Sequence, residues 1–283
     1  NKPKAWANFL ELKEDETIHH MLPYREADID DDHFVLLASK QGFVKRTSLR
    51  EFENIRTTGL IAVRVEDDDQ LVGVHLTDGQ RHVVMATAGG MSIRFSEADI
   101  RPMGRTARGV KGISLRADDE VVSVIVIDED SQRSLLTICG NGYGKRTEAT
   151  EYRPQSRGGK GIITIKCNSR NGAVVSTSIV APDDEVLLVT DRGKVIRTPA
   201  DGISQQGRNT QGVRIIRMRD GEHVVALERI IGDTEADAAD ADADADADAE
   251  ETAPPPAEET VATTESDPSA DASTNTDDGD EHD

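Results

Sequence analysis

The sequence predicts an all-β fold, a propeller-like array of four-stranded blades followed by a disordered acidic tail. Three observations carry this: a motif that recurs four times, glycine-containing turns between short apolar runs with no helical periodicity, and an abrupt change of composition at Asp233.

The four copies read LLASKQGFVKRTSL from Leu36, VMATAGGMSIRFSE from Val84, LTICGNGYGKRTEA from Leu136 and LLVTDRGKVIRTPA from Leu187. Each is an apolar run, a polar turn with glycine, and a short strand ending in arginine. The turn glycines are Gly42, Gly90, Gly142 and Gly193, and four residues after each stands Arg46, Arg94, Arg146 or Arg197. Glycine suits such a hairpin because it adopts positive φ without steric cost. A second glycine is then expected to open an alternating strand, at Gly59 (GLIAVRV), Gly112 (GISLR), Gly161 (GIITIK) and Gly212 (GVRIIR). Polar turns such as Asp67-Asp68-Asp69, Asp118-Asp119 and Asp220-Gly221 lead to the closing strands LVGVHL, VVSVIVI, AVVSTSIV and HVVALERI. Four short strands in a unit of roughly 50 residues match a propeller blade. A plain sandwich would not need a recurring G-x-x-x-R.

Residues 8–22 match only the second half of a repeat, with Glu14-Asp15-Glu16 as the turn and Thr17–Leu22 as the closing strand. The expected organisation is therefore a β-rich body over 1–232, whose residues 1–33 are a partial blade with the first blade missing, and a tail over 233–283. The chain reads as a fragment that begins mid-blade.

Charge divides the same way. The 283 residues carry a net charge of −21, and the tail holds 20 of the 54 acidic residues with no Lys or Arg, leaving 34 acidic against 33 basic in the body. A near-neutral body can still present a basic face. The tail, with ADADADADAE and APPPAEE, has almost no large apolar side chains and cannot offset the entropy of ordering.

Cys139 and Cys167 make no metal or disulfide framework and are expected to be small core residues on strands. The chain has no apolar run of the ~18 residues a membrane span requires and no signal-peptide pattern, so a soluble, cytoplasmic protein is expected. P-loop, HExxH and GxSxG patterns are missing. His19-His20 reads as surface, the aspartate runs at 30–32 and 67–69 as turns. Tyr143 and Tyr152 have no constellation that would make a nucleophile, though Tyr152 stands near a basic loop where it would either stack or pack.

That loop is Gln155-Ser156-Arg157-Gly158-Gly159-Lys160-Gly161. Its glycines permit close backbone approach, and Arg157, Lys160 and free N–H groups suit phosphate oxygens. A solvated glycine-rich connection is the plainer reading. The equivalent loops favour the first: Arg101, Arg105, Arg108 and Lys111 in the second repeat, Arg208, Asn209 and Gln211 in the fourth, and more weakly Arg56, Thr57 and Thr58 in the first. Recurrence at one repeat position places them on one rim. The arginines of G-x-x-x-R either contact phosphate or pair with a carboxylate of the next blade. Lys45-Arg46 and Lys145-Arg146 look more DNA-facing than Arg94 or Arg197.

NGYGKRT at 141–147, SRGGKGIITIK at 156–166 and GRNTQGVRIIR at 207–217 closely resemble the C-terminal domain of DNA gyrase A subunits, over residues 8–232 and into the acidic tail. The resemblance implies a six-bladed β-pinwheel whose blades exchange strands, and which binds double-stranded DNA round its rim and bends it. It also implies a parent type II topoisomerase that introduces negative supercoils at the nucleoid, in an A2B2 assembly whose B subunit hydrolyses ATP. The ATP, Mg2+ and catalytic tyrosine would lie outside this chain, which would have no catalytic residue, metal or cofactor of its own. The family's box reads Q-[RK]-R-G-G-[RK]-G in the first blade. Gln155–Gly161 departs from it at Ser156 and lies in the next-to-last blade, so a DNA-contacting role carries over to Arg157 and Lys160 but the special wrapping role does not. The C-terminal domain from the A subunit of topoisomerase IV and a protein-binding propeller are the alternatives; a rim of Arg, Lys and Gly rather than apolar side chains counts against the latter. The tail either competes with DNA for the basic rim or serves only as a solubiliser.

Overall fold

The computed structural model describes residues 18–30, 32–55 and 59–232. The acidic tail and Arg56, Thr57 and Thr58 lie outside the described residues, as does most of the expected half-blade.

Among the described residues, fifteen strands make four antiparallel sheets. The first comprises β1 (Phe34–Ser39), β2 (Phe43–Ser48), β3 (Leu71–Thr77) and β6 (Val110–Lys111). The second has β4 (His82–Thr87), β5 (Met91–Ser96), β7 (Val121–Ile127) and β10 (Ile162–Ile163). The third has β8 (Ser134–Cys139), β9 (Tyr143–Glu148), β11 (Val174–Val180) and β14 (Val213–Arg214), and the fourth only β12 (Glu185–Thr190), β13 (Val195–Pro199) and β15 (Val224–Ile230). Strand order runs β3-β1-β2-β6, with the same pattern in the second and third sheets. Strands β3, β7, β11 and β15 pack on one another in succession and form the inner edge of the array. The opposite edge of each four-stranded blade is a strand that crosses over from the following repeat.

Alternation within strands produces the layers between blades. In β4, Val83 and Met85 join Leu36, Val44 and Phe95 between the first and second blades, while Val84 joins Leu135 and Tyr152 between the second and third. In β8, Leu136 and Ile138 meet Val186 and Leu188 of the fourth blade. The first hairpin strand of a middle blade is therefore buried throughout, as β4 and β8 are, whereas β12 alternates because one face of the last blade meets solvent. The first blade's outer face, with Val35, Leu37, Leu49 and Phe52, is covered by Leu22, Ile29 and Leu60.

The crossing strands are short, two residues each, so their ladder is a minor part of what holds them. Each is followed by a buried isoleucine: Ile113, Ile165 and Ile216, all under 5% exposed. Full burial of such a side chain contributes roughly 1.5–3 kcal/mol, against about 1 kcal/mol net for a hydrogen bond. The N–H groups of Gly112, Thr164 and Ile215 donate to the carbonyls of the turn glycines Gly42, Gly90 and Gly142 at 2.8, 2.8 and 2.9 Å, completing the attachment.

The glycine that starts each crossing strand is Gly109, Gly161 or Gly212, with φ of 108°, 71° and 74°. A Cβ there would meet the carbonyl oxygens of Val44, Ser92 and Gly144 at 2.6, 2.3 and 2.6 Å. This corrects the expectation that Gly112 begins the strand in the second repeat. The apolar pattern Ile113, Leu115 suggested a start at Gly112, but those residues follow the paired segment and face the core.

Two other expectations change. Residues 59–65 (GLIAVRV) carry no strand, although Gly59 keeps the positive φ of its equivalents. The described part of the expected first closing strand, Ile18–Leu22, also has none. Both have the same physical reason: among the described residues no strand edge lies beside them, so their backbone groups find no ladder. Conversely β13 is an edge strand, with Val195 57% exposed.

Gly161→Ala is expected to lower stability by about 1–3 kcal/mol from backbone strain alone, plus the cost of displacing the Ser92 carbonyl. Gly104→Ala, where a Cβ meets nothing within 4 Å, is the control and should be near neutral. Urea unfolding of the two variants checks this; equal midpoints would contradict it.

Candidate nucleic-acid interface

The segments that lead into and out of the crossing strands occupy the outer edge of the blades: residues 101–116, 153–170 and 204–219. They contain 14 Lys and Arg and no Asp or Glu. The corresponding stretch of the first repeat, 51–66, has three glutamates and two arginines, so the basic edge belongs to the last three repeats.

Their internal geometry repeats. Arg105, Arg157 and Arg208 are equivalent residues, four before the crossing glycine. The Arg157 guanidinium donates to the Lys111 carbonyl at 2.6 Å, and that of Arg208 to the Ile163 carbonyl at 3.0 Å, each on the preceding crossing strand. Gly158 N–H donates to the Gly112 carbonyl at 2.7 Å, and the Ser114 N–H and hydroxyl donate to the carbonyls of Gly159 and Gly158, both at 2.8 Å. Lys166 N–H likewise donates to Thr210. Successive edge loops are thus tied into a continuous track. Because Arg157 and Arg208 are held by neutral carbonyls, the charge stays available to an outside anion.

The expected site residues fall into three groups. Lys111 and Lys160 are exposed on the track, and Arg157 and Arg208 are half-buried in it, with Gly158, Gly159 and Gly161 forming the loop. Gln155 is part of its scaffold: its N–H donates to the Arg94 carbonyl at 2.8 Å, and its side-chain nitrogen is buried with no acceptor among the described residues. Arg105 and Arg108 lie on the same edge, but Glu51 stands 3.7 Å from one and Glu66 3.5 Å from the other, and Arg108 also stacks on Phe43 at 3.9 Å.

Lys45, Arg46, Lys145 and Arg146 form the third group and are a correction. Lys45 and Lys145 are buried, not outward-facing. Lys145 Nζ donates to the Arg208 carbonyl at 2.7 Å and also to Gly207; Lys45 Nζ donates to Ala62 at 2.6 Å and also to Arg105. Each thus pins an edge loop from within. The arginines of G-x-x-x-R receive the next repeat. The Arg46, Arg94 and Arg146 carbonyls accept from the N–H groups of Met103, Gln155 and Gln206 at 2.8 Å each. The Arg94 and Arg146 guanidiniums donate to carbonyls of the next repeat, including Ala149 at 3.1 Å and Ile203 at 2.8 Å. Buried Arg46 faces Glu97 of the next blade at 3.8 Å, which is the carboxylate pairing that was one of the two readings; Arg197 pairs with Glu185 of its own blade.

Several contributors escaped the sequence reading. Arg116, Arg153, Lys166, Arg170, Arg214, Arg217 and Arg219 are exposed on the same edge. The available signal was the lack of any carboxylate across the three segments. At the third blade, Arg170 and Arg214 cover the Tyr143 ring at 4.8 and 5.4 Å, and Arg214 donates to its hydroxyl oxygen at 2.8 Å. These guanidiniums hold the phenol below its ordinary pKa. With Asn141 and Arg217 they line an open cavity of about 450 Å³ that suits an anion. Tyr152 packs rather than stacks: it is buried, with its hydroxyl 2.7 Å from that of Thr164. Asp69 binds the Gln41 N–H at 2.9 Å, as a turn residue would, and no metal-holding cluster of His, Cys, Asp or Glu occurs among the described residues.

Burial pushes Lys45 and Lys145 down to about 8. The folded state then holds fewer protons than the unfolded chain between pH ~8 and ~10.5, so stability rises with pH across that window and is lost as pH falls through the folded value. The stability of wild type relative to Lys145→Met should therefore increase from pH 8 to pH 10 in urea unfolding. Parallel pH profiles would contradict the burial.

With this geometry in place, the comparisons with known proteins identify the family. The model of the DNA gyrase C-terminal domain, beta-propeller, matches residues 33–78, 81–128, 134–181 and 184–231, one stretch per repeat. The A subunit of DNA gyrase from Haloquadratum walsbyi is 42% identical over 240 residues, covering 83% of this chain and 28% of the relative. That from Salmonella typhimurium is 44% identical over 236 residues, covering 82% and 26%. The chain thus spans about a quarter of the length of these relatives. The solved DNA gyrase A C-terminal domain superposes with a TM-score of 0.70 at 27% identity, over 82% of this chain and 76% of that one. The C-terminal domain of DNA topoisomerase IV shares the fold, with a TM-score of 0.76 at 24% identity, over 85% and 75%. Strand exchange between consecutive repeats, a basic outer edge and a family match over all four repeats lead to one conclusion: the chain belongs to the DNA gyrase C-terminal domain family.

Proposed function

We propose that this chain is a DNA-binding and DNA-bending domain, and that duplex DNA follows the outer edge of the blades. The observation that supports this most is the track itself, three acid-free basic segments at equivalent positions on consecutive blades. Its cations sit on short strands and glycine loops, and no α-helix to enter a groove occurs among the described residues. Contact is therefore with phosphates, and specificity for base sequence is low. Smooth bending of a short site costs on the order of 1–6 kcal/mol, which several phosphate contacts must offset. Affinity consequently depends steeply on salt.

In the parent protein, the bent segment would be presented to a DNA-cleaving region. The reading extends to a gyrase-type type II topoisomerase acting in the cytoplasm on the nucleoid, with ATP and Mg2+ bound by other parts of an A2B2 assembly. The identity to gyrase A subunits supports this. No helix among the described residues is long and apolar enough to cross a membrane.

Fluorescence titration of the full chain with unrelated duplexes of equal length tests the reading. Similar affinities are expected, with log affinity falling by about 0.9 per phosphate neutralised for each tenfold rise in salt. Arg157→Ala with Lys160→Ala, and Arg214→Ala with Arg217→Ala, should each weaken binding evenly across sequences and flatten that slope by up to about 2. Arg105→Ala with Arg108→Ala should cost less, since Glu51 and Glu66 already face those guanidiniums. Unchanged binding in the first two variants would remove the edge from the DNA path.

A further inference from the structure

The four repeats serve as an internal alignment, and the third departs from the others at three positions that meet in space. Just before the hairpin turn, the other repeats carry a hydroxyl, Ser39, Thr87 or Thr190, and across from it a carboxylate, Asp69, Asp119 or Glu222. Thr87 donates to Asp119 at 2.7 Å and Thr190 to Glu222 at 2.9 Å. The third repeat has Cys139 in place of the hydroxyl and, by the hydrogen-bond register, Gly172 in place of the carboxylate, while the neighbouring Asn171 turns its amide to the carbonyls of Lys166 and Gln211. Beside Cys139 lies Cys167, where the second and fourth repeats have Leu115 and Met218. The two thiols share one apolar cluster with Ile165, Val174 and Val122, and the Cys167 S–H donates to the Ala88 carbonyl at 3.8 Å. These are the only cysteines in the chain.

We propose that Cys139 and Cys167 are a reversible redox pair, which low-molecular-weight disulfides convert into an internal disulfide that clamps the third repeat's crossing segment to its own blade. The positions of the two thiols assign their roles. Cys167 is half-buried and lines an open cleft of about 460 Å³ between the turns of the second and third repeats, with Arg116 on its wall. Cys139 is fully buried. The proximity of the two sulfurs pushes the Cys139 thiol up and lowers Cys167, whose own S–H is turned on the Ala88 carbonyl at 3.8 Å. Asp119 opposes the Cys167 thiolate, but its own carboxylate is held by Thr87 and by the Gly89 N–H at 2.7 Å. Cys167 is thus the attacking sulfur and Cys139 the resolving one.

In the first step the Cys167 thiolate attacks one sulfur of R–S–S–R. A mixed disulfide forms, and the departing thiolate takes a proton from solvent. Cys139 then loses its proton to solvent and attacks the Cys167 sulfur, expelling the second thiolate. Two protein thiols are oxidised by two electrons, and one small disulfide is reduced to two thiols. The new bond joins Cys139 at the end of β8 to the segment that follows β10, whose strand completes the second blade. Oxidation therefore stiffens the junction of the second and third blades at the end of the 153–170 segment, next to Lys166. The proposal does not rest on nucleic-acid binding.

The test is incubation of the folded full chain with oxidised glutathione, followed by mass measurement and thiol titration after unfolding. The expected product is lighter by two hydrogens, has lost both thiols and yields a cross-linked peptide pair spanning Cys139 and Cys167. It should also unfold several degrees higher than the reduced chain. Cys139→Ala should stop at a glutathione adduct on Cys167, and Cys167→Ala should stay unmodified while folded. Two free thiols in wild type, or a stable adduct on Cys167 with Cys139 still free, would overturn the proposal. Peptide mapping of wild type alone decides the matter if either variant fails to fold.

Discussion

The structure depends on one contact, the seating of each crossing strand on the blade before it. A glycine at positive φ brings the chain against a carbonyl of the acceptor strand, two residues pair, and an isoleucine drops between the blades. The buried side chain contributes more than the short ladder. Because the crossing strand is always the outermost, this contact also determines what the outer edge is made of. The loops on either side of it must lie on the surface, and in the last three repeats these loops are basic.

Cations are used in two opposite ways around that contact. Lys45 and Lys145 are withdrawn from water and turned on carbonyls of the edge loops, where their positive charge costs stability near neutral pH. They hold the backbone that carries Arg105 and Arg208. The latter, with Arg157, Lys160, Arg214 and Arg217, stays on the edge, where carbonyls hold Arg157 and Arg208, the Tyr143 hydroxyl holds Arg214, and Lys160 and Arg217 are exposed. A buried cation that fixes a loop and a surface cation that the loop displays are different jobs, and neighbouring basic residues in one motif divide them.

That division was hard to see in the sequence. The recurring G-x-x-x-R announced the repeat and the four strands per unit, because turns and apolar alternation are local. Whether Lys145 points in or out depends on the next repeat, about 60 residues away, where the carbonyls of Gly207 and Arg208 close over it. The register of the second crossing strand was misjudged for a similar reason. GVKGIS offers two glycines, and only the approach of Gly109 to Val44 distinguishes them. The basic edge was legible in part: the Gln155–Gly161 loop stood out, but Arg214 and Arg217 read as strand residues until the strand was placed at the rim. The thiol pair became visible only when the repeats were aligned by their hydrogen bonds.

Native-state hydrogen exchange measures the central contact most directly. The amides of Gly112, Thr164 and Ile215, bonded to the carbonyls of Gly42, Gly90 and Gly142, should be as protected as those of the acceptor strands β2, β5 and β9 and open together with them. Amides in residues 60–64, the equivalent segment without an acceptor strand among the described residues, should exchange far faster. If Gly112, Thr164 and Ile215 exchanged as fast as residues 60–64, the crossing strands would not be what fastens one blade to the next.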